Sequence, residues 1–259
     1  SSAASDVYKR QLQLGYGATL AILSPFFLEA LRRAGGMGVG ILSLPVYAAI
    51  VMSGHQSSAV LALIGLSGWT MLALRNKEVG AKRQVTGFVI SAIIGLLLGV
   101  YLSVVTGQVS TLAEAPARYQ SFLYQSQLWE LSWQAFMDHW LTGVGMRGFG
   151  TYALATDAST IPGLAETWHS HLTILEVISE TGLVGLIGYG LLLRWLWGYV
   201  QDDRMHVAVA GLTALLAVFP LGTAVGMYSY IGGNLIFLTF TLLIALDRDC
   251  PHVTDTSAP

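Results

Sequence analysis

Seven stretches of 17–26 residues carry almost no charge: 12–31, 37–53, 57–74, 85–106, 172–197, 207–225 and 228–246. A hydrocarbon core about 30 Å thick takes about 20 apolar residues to cross as a helix. Inside it every backbone amide and carbonyl must be satisfied within the segment, which leaves helices or a closed barrel. The runs are too long and too uniformly apolar for barrel strands, which alternate every second residue. The expected fold is therefore all-α: a polytopic transmembrane bundle of about seven helices, with one long external loop that carries an interfacial helix. Composition agrees. Charged residues make up 11 % of the 259 and hydrophobic ones 54 %, where a soluble domain carries roughly 25 % charged.

Basic residues set the expected orientation. Arg32, Arg33, Arg75, Lys77, Lys82, Arg83, Arg194, Arg204 and Arg248 fall on one side, and only Arg118 and Arg147 on the other. Positive-inside bias places the loop RNKEVGAKR and the carboxyl terminus in the cytoplasm. Residues 107–170 are then external, with two arginines against five acids. The expected organisation is four spans over 12–106, the external loop over 107–170, three spans over 171–248 and a cytoplasmic tail over 249–259. Residues 1–11 read as a non-native, adaptor-like translation, so the chain is expected to be an amino-terminally truncated fragment. Cys250 is the sole cysteine, which excludes an internal disulfide and a cysteine-based metal site. The net charge of −2 identifies no partner, and no nucleic-acid partner is expected.

The most unusual segment is HSHLTILEVISETGLVGLIG, residues 169–188. A charged side chain at a membrane helix centre costs roughly 2.5–3.5 kcal/mol, so Glu176 and Glu180 need a reason. They are four residues apart and share one helix face, which His169 would join if the helix extended that far back. Solvated acids at a helix mouth are an equally good reading of the spacing alone. Upstream, Trp129, Trp133, Phe136 and Trp140 recur at helical spacing beside a polar stripe of Gln127, Glu130, Gln134 and Asp138. That pattern suits a helix lying at headgroup depth, or an aromatic face packed on the bundle. Residues 143–148 spell GxGxxG, but no βαβ unit surrounds them, so no dinucleotide site is expected. His169 and His171 stand two apart, off a common helix face, and no third ligand has recognisable spacing. Neither a metal nor another cofactor is expected. Gly182, Gly185 and Gly188, with Gly36/Gly40 and Gly222/Gly226, read as small-residue faces for close helix packing.

The block from 169 to 188 resembles the signature of the O-antigen ligase and polymerase superfamily through His171, Leu175, Glu180 and Gly182, with Leu172 where asparagine is usual. The segment WELSWQAFMDHWLTGVGMRGF, residues 129–149, resembles that superfamily's tryptophan-bearing helix and following GxG turn. The likeness spans about residues 40–190. It implies an inner-membrane glycosyltransferase of about twelve helices that moves a polyprenyl-diphosphate-linked glycan to an acceptor hydroxyl at the outer face, with lipid A-core or a growing glycan as acceptor. On that reading His171 and Glu180 are catalytic. An imidazole titrates near neutrality and suits the acceptor hydroxyl, and an arginine fork suits the diphosphate, a task open to Arg118 and Arg147. His169, His55, Glu176, Gln56 and Gln127 complete the candidate substrate-binding set. Gln56 and Gln127 stand where relatives carry arginines. A transporter or flippase for lipid-linked sugars, or a catalytically silent member of the superfamily, is the alternative.

Overall fold

The computed structural model describes residues 2–35, 37–53, 56–75, 81–105, 115–156, 170, 172–221 and 230–249. Every regular element among them is helical. In order these are α1 (Ser2–Ala34), a 3-10 turn (Met37–Leu42), α2 (Ser43–Met52), α3 (Gln56–Arg75), α4 (Ala81–Val105), α5 (Ala115–Asp138), α6 (Phe149–Ala155), α7 (Thr173–Val200), α8 (Met205–Ala217) and α9 (Tyr230–Asp249).

Each of the seven expected spans contains helix, although in 207–225 the helix ends at Ala217 and the span's last residues lie outside the described ones. Among the described residues three helices are long and apolar enough to cross a membrane by themselves, over Ser57–Arg75, Lys82–Val105 and Thr173–Val200, whereas Gly40–Met52 and Met205–Ala217 are apolar but shorter. The fold is an all-α membrane helix bundle. The count of seven crossings stays an expectation of the sequence.

α8 explains how the bundle closes. It is apolar on every side, as a helix surrounded by others must be, and its residues 207–214 are all buried. One core lies between α8 and α1–α4, around Trp69, Tyr47 and Phe88, with Trp69 edge-on to Phe88 at 5.7 Å. The other joins α8 to α7 and α9 through Val177, Leu196, Ala210 and Leu243. Apolar side chains that point away from both cores, such as Ile94, Leu97, Ile187 and Phe237, stay exposed, as surfaces facing lipid require.

The closest backbone approach between helices uses glycines that periodicity alone did not single out. A Cβ on Gly95 would stand 2.4 Å from the Leu44 carbonyl oxygen, and one on Gly99 2.7 Å from that of Ala48. These two glycines of α4 are four apart, the small-xxx-small spacing that lets helix backbones touch, and α2 is the helix they admit.

The basic end of the bundle is held by side chains. Arg75, the last residue of α3, donates to the carbonyls of Gln201 and Asp202. Arg204, ahead of α8, pairs with Asp202 at 3.0 Å and with Asp247 of α9 at 2.5 Å. In α1, Glu29 accepts from Arg32 and Arg33, both at 2.9 Å. Arg75 and Arg204, which the sequence assigns to one side, thus both bind the connection at 201–202, and Arg204 also reaches Asp247 near the carboxyl end of α9.

Candidate functional site

The opposite end of α7 is built differently. Its first turn is tied to the far end of α8 by the Ile174 N–H, which donates to the Pro220 carbonyl at 3.0 Å. Two turns later the helix breaks at Gly182, whose φ of 62° and ψ of −155° are not helical. An unbroken helix would pair the Leu183 N–H with the Ser179 carbonyl and the Val184 N–H with that of Glu180. Losing those bonds exposes two donors and two acceptors in an apolar setting, at a cost that demands replacement partners.

The segment after α5 supplies all four. Val144 and Gly145 donate to the Ser179 and Glu180 carbonyls at 2.9 and 3.0 Å, and Leu183 and Val184 donate to those of Trp140 and Leu141 at 2.8 and 3.2 Å. The two chains interlock at glycines. A Cβ on Gly143 would stand 2.2 Å from the Glu180 carbonyl carbon, and one on Gly182 2.5 Å from that of Leu141. Both have φ above 60°, the left-handed region open to glycine at no steric cost. The packing role expected for Gly182 is therefore corrected: it meets loop backbone, not a neighbouring helix. Gly188 faces nothing within 4 Å, so the expected face does not extend there either. Gly40 is in ordinary contact with Phe88, and Gly36, Gly222 and Gly226 lie outside the described residues.

Beyond Gly145 the chain turns through Arg147, the only non-glycine residue with positive φ among those described, at 59°. Its backbone N–H donates to Glu180 Oε2 at 2.7 Å, and the Phe149 N–H lies beside the same carboxyl group. Glu180 is 1 % exposed and Glu176 4 %, whereas the Arg147 side chain is exposed. Two site residues assigned separately by sequence are thus joined through the main chain of one and the side chain of the other. The reading of Glu176 and Glu180 as solvated acids at a helix mouth does not hold for either.

α5 and α6 carry this turn. Their mutual core is Leu128, Leu131, Phe149 and Ala153. On α5 the buried face runs through Leu128, Leu131, Ser132 and Ala135, at the spacing of one helix face. Trp133 and Trp140 remain 52 % and 55 % exposed, so a wholly packed aromatic stripe is ruled out. Trp140 falls in the turn after the helix. The polar stripe of Gln127, Glu130, Gln134 and Asp138 is exposed as expected. Tyr152 donates to Asp138 Oδ2 at 2.5 Å, and partial burial with that carboxylate pushes its hydroxyl up to about 12.

His55, His169 and His171 lie outside the described residues. So do the side chains of Gln56, which opens α3, and Arg118, which lies on α5. Gln56 and Arg75 occupy opposite ends of α3, so Gln56 stands away from the basic cluster. Among the described residues no three His, Cys, Asp or Glu side chains gather as a metal site.

No curated protein and no solved structure matches the chain. A family model described as O-antigen ligase matches residues 40–190, more than half of the chain, and both glycine-bearing segments of the joint fall inside the match. The chain belongs to the O-antigen ligase family of membrane glycosyltransferases.

Proposed function

We propose that this protein transfers a glycan from a polyprenyl diphosphate to an acceptor hydroxyl at the outer face of the bacterial inner membrane, either a lipid A-core sugar or a growing glycan. The observation that carries the reading is the exposed Arg147, held in a left-handed turn that is clamped onto α7. Non-glycine residues in that conformation cost about 1–3 kcal/mol and concentrate at functional sites. Glu180 stands eight residues beyond Leu172, about 12 Å along the helix axis. Arg147 is therefore bound within two turns or so of the segment that His171 precedes.

In this reaction the glycosidic carbon–oxygen bond to the diphosphate breaks and the acceptor oxygen forms the new bond, while its proton passes to a base. His171 orients or deprotonates that hydroxyl. Arg147, joined by Arg118, takes the negative charge that develops on the leaving diphosphate. Gln56 and Gln127 donate hydrogen bonds without neutralising charge, and His55 and His169 complete the substrate-binding set, whereas Glu176, buried at 4 % exposure, takes no direct part in binding. The proposed chemistry uses no metal and no cofactor.

The break in α7 favours one competing reading, a transporter, because transporters bind ions and substrates on the free backbone groups of discontinuous helices. Here those groups are already paired with residues 140–145, and the break offers a substrate nothing. Orientation is tested by impermeant labelling in intact cells: a cysteine at Thr156 is expected to react and one at Asn76 to be shielded. Function is tested with purified complete protein, lipid-linked donor and acceptor. Glycan transfer supports the reading, and movement of intact lipid-linked donor across the bilayer without transfer refutes it.

A further inference from the structure

Glu180 carries a chemistry-bearing group in a place that substrate does not reach. Its side chain is buried at 1 % exposure, one carboxyl oxygen accepts the Arg147 N–H at 2.7 Å, and the Phe149 N–H lies beside it. Its own carbonyl accepts the Gly145 N–H at 3.0 Å, and the Gly145 carbonyl in turn accepts from Gly148 at 2.8 Å. One residue of α7 therefore holds the turn 145–149 through both its main chain and its side chain.

That grip explains the arginine. A side chain with a Cβ resists φ near 60°, and such a residue persists only where its surroundings over-determine it. Here the Glu180 carboxyl group fixes the Arg147 amide, which fixes the direction in which Cβ leaves the turn. The guanidinium then starts from a set point, and less freedom is lost when it binds.

We infer that Glu180 is a positioning residue, one that acts through the main chain of Arg147 to aim its guanidinium at the diphosphate of the lipid-linked donor. The inference rests on the proposed reading of Arg147 as a diphosphate ligand. It replaces a direct part for Glu180 in the reaction with an indirect one.

The test is the Kd for undecaprenyl diphosphate, measured on the complete protein in nanodiscs. Arg147→Ala is expected to weaken binding about tenfold or more, the loss of a charged hydrogen-bonding group. Glu180→Gln is expected to weaken it about three- to tenfold, since the amide satisfies one backbone donor and repels the other. The double variant should bind like Arg147→Ala alone, because two residues acting through one contact are not additive. Glu180→Asp, which keeps the acid but shortens its reach, provides the same comparison if the glutamine variant does not fold. Unchanged binding by Arg147→Ala would overturn the reading of Arg147 and this inference with it. A loss for Arg147→Ala alone, with Glu180→Gln or Glu180→Asp binding like wild type, would overturn only the inference. Additive losses in the double variant would do the same, since they would mark Glu180 as a general support of the fold.

Discussion

The two ends of α7 are fastened by opposite means. At the basic end arginine side chains do the fastening: Arg75 reaches the carbonyls of residues 201 and 202, and Arg204 is taken up by Asp202 and Asp247. At the other end the main chain does it, through four backbone bonds and two interlocked glycines, and the acid Glu180 binds the amide of an arginine rather than its guanidinium. At one end Arg75 and Arg204 are taken up in holding the fold, and at the other the Arg147 side chain is left exposed. A site that must receive an anion can be built only in the second way, because a guanidinium already paired with a carboxylate has little attraction left for phosphate.

The comparison breaks most severely at the glycines. Gly143→Ala and Gly182→Ala each place a methyl group against backbone in a left-handed conformation, and each should cost about 3 kcal/mol or more in unfolding assays. Gly188→Ala, with open space around it, should instead gain about 0.5–1 kcal/mol from helix propensity. Equal effects at positions 182 and 188 would show that the joint is not what makes Gly182 special. Within the module that carries the turn, Leu128→Ala should cost about 2 kcal/mol or more as a core truncation. Trp133→Ala, on the exposed face, should change stability by no more than about 0.5 kcal/mol. At the basic end, Arg204→Ala should cost about 1 kcal/mol, as expected for a partly exposed pair, and leave donor affinity untouched. A loss of donor affinity there would erase the distinction between the ends.

The smallest expected effect is a titration. Tyr152 holds its proton up to about 12 in the folded protein, against about 10 for a free tyrosine. Its contribution to stability is therefore fully present below pH 10 and is lost as pH rises through 12. Alkaline unfolding curves of wild type and Tyr152→Phe should converge across that window, and curves that stay parallel would show that the Asp138 contact has no such effect.

Much of this architecture could be read from residues alone, and the reason is periodicity. The runs at 57–74, 85–106 and 172–197 had the length and apolarity of spans, and α3, α4 and α7 occupy them. Arg75, Arg204 and Asp247 meet at one end, as a charge bias at helix ends implies. The joint is half legible: Gly143, Gly145, Glu180 and Gly182 stand out one by one, but local spacing says nothing about a pairing across some 35–43 residues, which leaves close helix packing as the simplest expectation for Gly182. The inward face of α5 was hidden for a different reason. Tryptophans dominate its pattern, yet Leu128, Leu131 and Ala135 are what fit against Phe149 and Ala153, a choice made by shape. Gly95 and Gly99 had the spacing of a close-packing pair, lost among the many glycines of the chain.

The most direct measurement of the central claim is glycan transfer by the complete purified protein from a lipid-linked donor, compared between wild type, His171→Ala and His169→Ala. If the segment entering α7 delivers the acceptor hydroxyl to a donor held by Arg147, His171→Ala should lower the rate about 10²–10⁴-fold, with expression and membrane insertion unchanged. His169→Ala should retain substantial activity. Transfer by His171→Ala at the wild-type rate would contradict the account.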